Sequence, residues 1–371
     1  MTVRVLVVDD SAFFRQRISS VLSASKEIEV VGIAHNGVEA IDMNNSLQPD
    51  VITMDVEMPK LNGIDALKQI MRIRPTKILM VSSLTHEGAQ VTLQAMEAGA
   101  VDYLTKDMRA WMDKSPSLSR ELISKIVAIG KSKYLARSQF SSTAKPIGRT
   151  THFSSHTPCS IREERAVTAA NQRSFNVTSK PKVPFGCKII VIGSSTGGPA
   201  ALQEILTKLP ANFPYPILLI QHMPNTFTSV FAQRLDQQCA IAVKHAQSGD
   251  RLKPGVALLA PGGMQMILDS HNTVQVLAGD KELTYKPSID LTFASTAKNF
   301  GSKALAIILT GMGADGRDGA KLLKEAGSNV WAQSESSCTI YGMPQAAAKA
   351  GVVDHVIDLK DFAGCLNLIN N

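Results

Sequence analysis

The sequence predicts an α/β protein made of two parallel-sheet units in tandem, and three observations carry that prediction. Short apolar, β-branched runs recur in both halves with helix-like stretches between them. A long Ser-, Thr-, Lys-, Arg- and Pro-rich stretch without periodicity separates the halves. Carboxylates, hydroxyls and an imidazole stand where strand-like runs stop, which is where parallel sheets gather ligand-binding groups.

Taken in order, RVLVVDD, EVVGIA, DVITMD, KILMVSS and VDYLTK read as five strands between Val3 and about Lys106. Helix-like pieces such as SAFFRQRISSVLSA and THEGAQVTLQAMEAGA lie between them. Interleaving of this kind requires a parallel sheet covered on both faces. SRELISKIVAIGKSKYL then closes the unit or bridges out of it. Alternation resumes at Cys187 with CKIIVIG, PILLIQHM, GVALLAP, TVQVLA, ALAIILTGMG and SNVWAQ, and some hairpin content is expected around residues 255–285. The expected organisation is residues 1–135, a first domain with a trailing helix, 136–184, a flexible basic linker, and 185–371, a doubly wound α/β domain. Neither an internal repeat nor a helix-turn-helix pattern is visible.

Composition narrows the function. The chain has 371 residues, of which 44% are apolar and only 5% aromatic, enough for a core of Ile, Val, Leu, Ala and Met. The net charge of +7 suggests nucleic acid until it is divided by region. Residues 1–110 hold 11 basic and 14 acidic side chains, 111–185 hold 13 and 4, and 186–371 hold 15 and 14. The basicity belongs to the linker, so neither folded half carries a nucleic-acid footprint. No run is long and apolar enough to span a bilayer, and MTVRVLVVDDS lacks the layout of a signal peptide. The five cysteines are scattered and form no C-x-x-C. That predicts reduced thiols, a cytoplasmic location and no zinc site.

In the first half, RVLVVDDS ends in Asp9 and Asp10, and DVITMDVEMP carries Asp55. Parallel strands bring these carboxylates to one edge, where their mutual repulsion is relieved by a hard cation such as Mg²⁺. Lys106 ends VDYLTK, and Ser82 and Ser83 end KILMVSS. A carboxylate beside a metal, a lysine and a hydroxyl can accept a phosphoryl group. On these residues, 1–107 resembles a response-regulator receiver domain, which implies a flavodoxin-like, five-stranded parallel sheet. The resemblance implies that Asp55 is phosphorylated by a histidine kinase, and that Asp10, Asp55 and the Glu57 carbonyl bind Mg²⁺ with Asp9 supporting through water. It makes Ser82 the switch hydroxyl, Tyr103 the switch aromatic and Lys106 the phosphate-contacting lysine. Asp107 stands where the family usually has Pro, which is expected to alter the bend and weaken the grip on phosphate.

In the second half, KIIVIGSSTGGPAAL ends a strand in a glycine corner. Gly193, Gly197 and Gly198 fit neither the dinucleotide nor the P-loop spacing, so the corner presents Ser194 and Ser195 rather than a phosphate cradle. A serine nucleophile needs a base, and the base an orienting carboxylate. PILLIQHMP supplies His222, with His245 as a rival, and ALAIILTGMGADGRDGA supplies Asp315, with Asp318, Asp269 and Asp290 as alternatives. The GMGADG corner offers backbone N–H groups suited to an oxyanion.

The segments IGSSTGGPAAL, QHMP, LLAPGG, PSIDLTFAS, LTGMGADGRDG and ESSCTIYGMPQAA then resemble the catalytic domain of the chemotaxis protein-glutamate methylesterases. The resemblance implies that Ser195 is the nucleophile, His222 the base and Asp315 its orienting partner. Thr196 would help position the histidine, and the Met312 N–H would contribute to the oxyanion hole. It further implies hydrolysis of glutamate γ-methyl esters on chemoreceptors to methanol, deamidation of receptor glutamines, no cofactor for the esterase, and a monomer. The receiver is expected to cover the sheet edge carrying Ser195 until phosphorylation releases it.

Overall fold

The computed structural model describes residues 2–133, 181–279 and 283–368. Most of the expected linker, 136–184, lies outside the described residues. The first unit runs β1 (Val3–Val8), α1 (Ala12–Ser23), β2 (Ile28–Ala34), α2 (Gly37–Leu47), β3 (Val51–Asp55), α3 (Gly63–Ile73), β4 (Lys77–Ser82), α4 (His86–Glu97) and β5 (Asp102–Thr105). Two further helices close it, α5 (Met108–Met112) and α6 (Pro116–Lys131). Its five strands are parallel in the order β2-β1-β3-β4-β5. β3 is buried along its whole length and β4 at every residue but Lys77, which is why they read as nearly unbroken apolar runs. Side-chain caps fix several helix starts: Asn36 accepts from the Val38 and Glu39 amides, Asn62 from Asp65 and Thr85 from Gly88.

Asp107 has a local role that the sequence did not indicate. Its carboxylate caps α5, accepting from the Arg109 and Ala110 amides at 3.0 and 3.3 Å. The residue that replaces the usual Pro therefore starts a helix, and its charge is spent on orphan amides.

The second unit runs β6 (Ile189–Ser194), α7 (Gly198–Leu206), β7 (Ile217–Gln221), α8 (Asn225–Gln238), β8 (Ala242–His245), β9 (Val256–Leu259), β10 (Met264–Leu268) and β11 (Val274–Ala278). It continues with α9 (Ile289–Phe300), β12 (Ala304–Ile308), α10 (Arg317–Glu325), β13 (Asn329–Gln333), α11 (Met343–Lys349), β14 (His355–Ile357) and α12 (Leu359–Asn367). Seven parallel strands form one sheet in the order β14-β13-β12-β6-β7-β9-β8. Alternate residues of β6 face opposite ways: Ile190 and Ile192 pack with α7, α8 and α12, Ile189 and Val191 with α9, α10 and α11. The fold is doubly wound, as expected. The hairpin within 255–285 is β10–β11, an antiparallel pair outside the main sheet. GVALLAP supplies a central parallel strand, β9.

The two units share an interface. Apolar side chains around α3 and α4 join those of α7 and α8 in one continuous cluster. A second cluster, built on Phe14, Trp111, Leu122 and Ile126, takes in Ile340 and Met312 from the second unit. Tyr103 stacks on Phe227 with ring centroids 4.5 Å apart and planes 2° from parallel. Glu97 accepts from Arg234 Nε at 2.7 Å, and from Gln203 and Gln238 Nε2 at 3.0 Å each. Among the described residues no helix is long and apolar enough to cross a membrane.

Candidate active site and phosphoacceptor pocket

In the first unit the strand ends deliver the acidic cluster as expected. One carboxylate oxygen from each of Asp9, Asp10 and Asp55 lies within 4.8 Å of the others. Lys106 Nζ reaches Asp9 Oδ2 at 2.8 Å and Asp55 Oδ2 at 2.7 Å. Burial raises the Asp9 carboxyl, though Lys106 and the Ser11 amide pull it back. Burial likewise pushes Asp55 to about 6, with Lys106 opposing and Asp9 adding to the rise. One lysine does not balance three carboxylates, two of them buried. An all-oxygen donor set short of positive charge suits a hard divalent cation, so the residues fit Mg²⁺. The Glu57 carbonyl, two residues past Asp55, accepts no hydrogen bond among the described residues.

The Ser82 hydroxyl donates to the Gly88 carbonyl in the first turn of α4 at 3.2 Å, so here it is engaged away from Asp55. Tyr103 is buried against Phe227, and its stacking partner belongs to the other unit. Lys125 Nζ bonds Asp102 Oδ2 at 2.5 Å and the Tyr103 carbonyl at 3.1 Å.

In the second unit, register builds the site. Ser194 pairs with Gln221 across β6 and β7, so the next residues past the two strand ends are Ser195 and His222. The His222 amide donates to the Ser194 carbonyl at 3.1 Å, and Gln221 Nε2 donates to the Ser195 carbonyl at 3.0 Å. Ser194 is fully buried, and its hydroxyl donates to Gln221 Oε1 at 2.7 Å. Ser195 is half-buried, and its hydroxyl has no partner among the described residues. Of the two serines, only Ser195 has a hydroxyl free to react.

The third strand end fixes the carboxylate. β12 lies beside β6, and the Ser195 amide donates to Thr310 at 3.1 Å just past the end of β12. Asp315 follows on the same loop and meets His222 Nε2 at 2.7 Å. It also accepts from Ser288 Oγ at 3.1 Å and from the Ile289, Asp290 and Gly316 amides at 2.8, 3.0 and 3.1 Å. Burial alone would raise the Asp315 carboxyl, but the His222 bond and charge and the amides at the start of α9 outweigh it and hold it low. Nε2 thus carries the proton facing Asp315, which leaves Nδ1 as the imidazole's acceptor.

Among the described residues none of the rivals bonds the His222 ring, although Asp290 lies against Asp315. Asp290 accepts from the Gly319 amide at 2.6 Å, and burial pushes it to about 6. Asp318 pairs with Arg317 and Lys321, and Asp269 accepts from the His271 and Thr273 amides. His245 ends the short strand β8, which is not recognisable in the sequence. Its Nε2 bonds Thr228 Oγ1 at 3.0 Å, and burial lowers its pKa.

Close backbone approach is built in at two glycines. A Cβ on Gly311 would stand 2.8 Å from Ser195 Cβ and 2.3 Å from Met343 Sδ. Gly197 has φ of 76°, and a Cβ there would meet Thr339 at 2.3 Å. The Met312 and Thr196 amides have no acceptor among the described residues, whereas Gly311 N–H is taken by the Ile340 carbonyl. The Thr196 hydroxyl is turned into the first unit, donating to Asp102 Oδ2 at 2.8 Å. Sequence reasoning missed Asp102, the acceptor of that bond, because Asp in VDYLTK reads as an ordinary strand residue. It also missed Ser288 and Tyr285; Tyr285 stacks on the His222 ring at 4.4 Å and 7°.

Comparison with known proteins agrees with both halves. A response regulator receiver domain model matches residues 5–111, and a CheB methylesterase model matches 190–366. The protein-glutamate methylesterase/protein-glutamine glutaminase of group 1 operon of Pseudomonas putida is 52% identical over 366 residues, covering 98% of both chains. Protein-glutamate methylesterase/protein-glutamine glutaminase 1 of Pseudomonas aeruginosa is 52% identical over 363 residues, with the same coverage. The crystal structure of the Thermotoga maritima CheB methylesterase catalytic domain is 40% identical with a TM-score of 0.47, covering 48% of this chain and 97% of that one. With the receiver ahead of it and relatives matched end to end, the chain belongs to the CheB methylesterase family.

Proposed function

We propose that this chain is a phosphorylation-regulated protein-glutamate methylesterase and protein-glutamine glutaminase acting on chemoreceptors in the cytoplasm. The relatives' names support the activity, and the single observation that carries the mechanism is the 2.7 Å His222–Asp315 bond at the rim where Ser195 presents a free hydroxyl. Ser195 Oγ attacks the γ-carbonyl of a glutamyl ester while His222 Nδ1 takes its proton. The oxyanion is held at the Met312 amide, and the imidazolium returns the proton to the departing methoxide, releasing methanol. Water activated by the same histidine then hydrolyses the acyl-enzyme to a free glutamate. A glutamine substrate follows the same path with ammonia leaving.

On this reading residues 1–135 form the regulatory domain, 136–184 the linker and 185–371 the catalytic domain. Asp55 accepts the phosphoryl group from a histidine kinase. Asp9, Asp10, Asp55 and the Glu57 carbonyl would hold Mg²⁺, which supplies positive charge to the transferring group. The receiver suppresses the esterase by covering the rim: Asp102 engages Thr196, Tyr103 engages Phe227, and Met312 packs into the receiver's own apolar cluster.

The test is methanol release from methylated receptor membranes, with and without a phosphodonor. Ser195→Ala is expected to abolish release under both conditions while leaving the melting temperature unchanged. Turnover that survives the substitution refutes the assignment, and Ser194, already bonded to Gln221, would need to be freed to replace it.

A further inference from the structure

Among the described residues the imidazole of His222 has one hydrogen bond along its edge, at Nε2, and that bond fixes a single point of the ring. The Ser195 hydroxyl has no hydrogen-bond partner among the described residues, so no bond at Nδ1 fixes which way the ring faces. Against the face of the ring lies the Tyr285 phenol, with centroids 4.4 Å apart and planes 7° from parallel. Tyr285 is itself held. Its carbonyl accepts from Gln265 Nε2 at 2.8 Å, and the Gln265 side-chain oxygen accepts from the Ser288 amide at 2.7 Å. Ser288 Oγ in turn donates to Asp315 at 3.1 Å. The face and the edge of the histidine are thus positioned from one small network.

The outer end of the phenol does a second thing. Its oxygen lies 2.8 Å from where a Cβ on Gly313 would stand, and Gly313 has φ of 87°. Met312, whose amide has no acceptor among the described residues, is the preceding residue. Tyr285 therefore leans on both the base and the loop carrying the oxyanion donor. Burial, then the Asp315 charge, raise the phenol pKa, so it stays protonated and contributes no base of its own.

We propose that Tyr285 is a positioning residue for the esterase: its ring fixes the plane of His222 so that Nδ1 faces Ser195, and offers a π face to the imidazolium that forms during proton transfer. The role requires an aromatic plane and makes no use of the hydroxyl. Because the ring contacts the base rather than the bound protein substrate, its loss is felt in kcat more than in KM. The inference rests on the Ser195–His222–Asp315 reading.

The experiment is methanol release by the full-length, phosphodonor-activated chain carrying Y285F, Y285L, Y285A or S195A. Y285F is expected to stay within about twofold of the parent, since it keeps the ring. Y285L and Y285A are expected to lose roughly 10- to 100-fold in kcat with KM moving less than about threefold. Leucine retains most of the apolar volume, so it separates loss of the plane from collapse of the loop should Y285A fail to fold. Y285L turning over like Y285F would overturn the proposal, as would a fall shared equally by Y285F and Y285A, which would move the role to the hydroxyl. S195A distinguishes the two levels: activity remaining there sinks the nucleophile assignment, whereas a dead S195A beside a fully active Y285L sinks only the role given to Tyr285.

Discussion

Glu97 is the sharpest lever on the interface. It is the last residue of α4, where a negative charge opposes the helix dipole, so nothing within the helix favours it. Its compensation lies across the interface, in two bonds from Arg234 and one each from Gln203 and Gln238. The Glu97 and Arg234 side chains are 27% and 23% exposed. Breaking a fully buried pair costs about 3–5 kcal/mol and an exposed one about 0–1, so Glu97→Ala is expected to weaken docking by about 2 kcal/mol. That is roughly 30-fold in the docking equilibrium. While the docked form dominates, methanol release without phosphodonor rises by the same factor, up to the rate of the freed catalytic domain. Exchanging the charges, Glu97→Arg with Arg234→Glu, should restore a low basal rate. A well-folded Glu97→Ala protein with the parent's basal rate would refute the cover as the source of inhibition.

The same carboxylate gives docking a pH dependence. Burial would raise Glu97, but the Arg234, Gln238 and Gln203 bonds win and lower it from 4.5. Docking is therefore fully supported above 4.5 and loses this contribution as pH falls through the lower docked value. Protection factors of hydrogen-bonded amides at the interface, corrected for the intrinsic pH dependence of exchange, should fall in that window, and Glu97→Ala should remove the effect.

Two other substitutions test separate parts of the molecule. Asp315→Asn keeps one acceptor oxygen but aims an NH₂ at a ring of donors, so kcat should fall by about 10³–10⁴ and stability by about 2 kcal/mol, read by turnover and thermal melting. Asp107→Ala should cost the receiver about 1 kcal/mol through the lost cap, lowering its melting temperature without touching phosphorylation of Asp55.

Both sheets were legible because parallel strands buried on two faces leave unbroken runs such as KIIVIG and KILMV. Ser195, His222 and Asp315 could be picked out because they follow three such runs, and of their contacts the His222–Asp315 bond is the one the structure contains among the described residues. Four-residue β8 and three-residue β14 were not, since AVKH and HVI alternate too briefly to stand out. Asp102, Ser288 and Tyr285 were invisible for a related reason: their significance comes from what they touch, and Thr196, Asp315 and His222 lie 94, 27 and 63 positions away. The substitution at Asp107 was legible as a departure, but its consequence was not, because a cap is recognised only once the following residues are known to be helical.

A phosphoryl group on Asp55 can loosen the cover only through groups that belong to both the pocket and the interface, because a ligand shifts an equilibrium only by its difference in affinity for the two states. Two elements qualify. β5 carries Asp102 and Tyr103, which hold Thr196 and Phe227, and is followed by Lys106, which holds Asp55. Helix α4 has Ser82 bonded to Gly88 in its first turn and Glu97 bonded to Arg234 at its last residue. A phosphoryl oxygen that draws the Ser82 hydroxyl towards itself takes that bond from Gly88, and one that draws Lys106 redistributes the charge at the end of β5. The pull would be applied at one end of each element while the catalytic domain is held near the other, so on the proposed reading phosphorylation of Asp55 would act on Glu97, Asp102 and Tyr103 together.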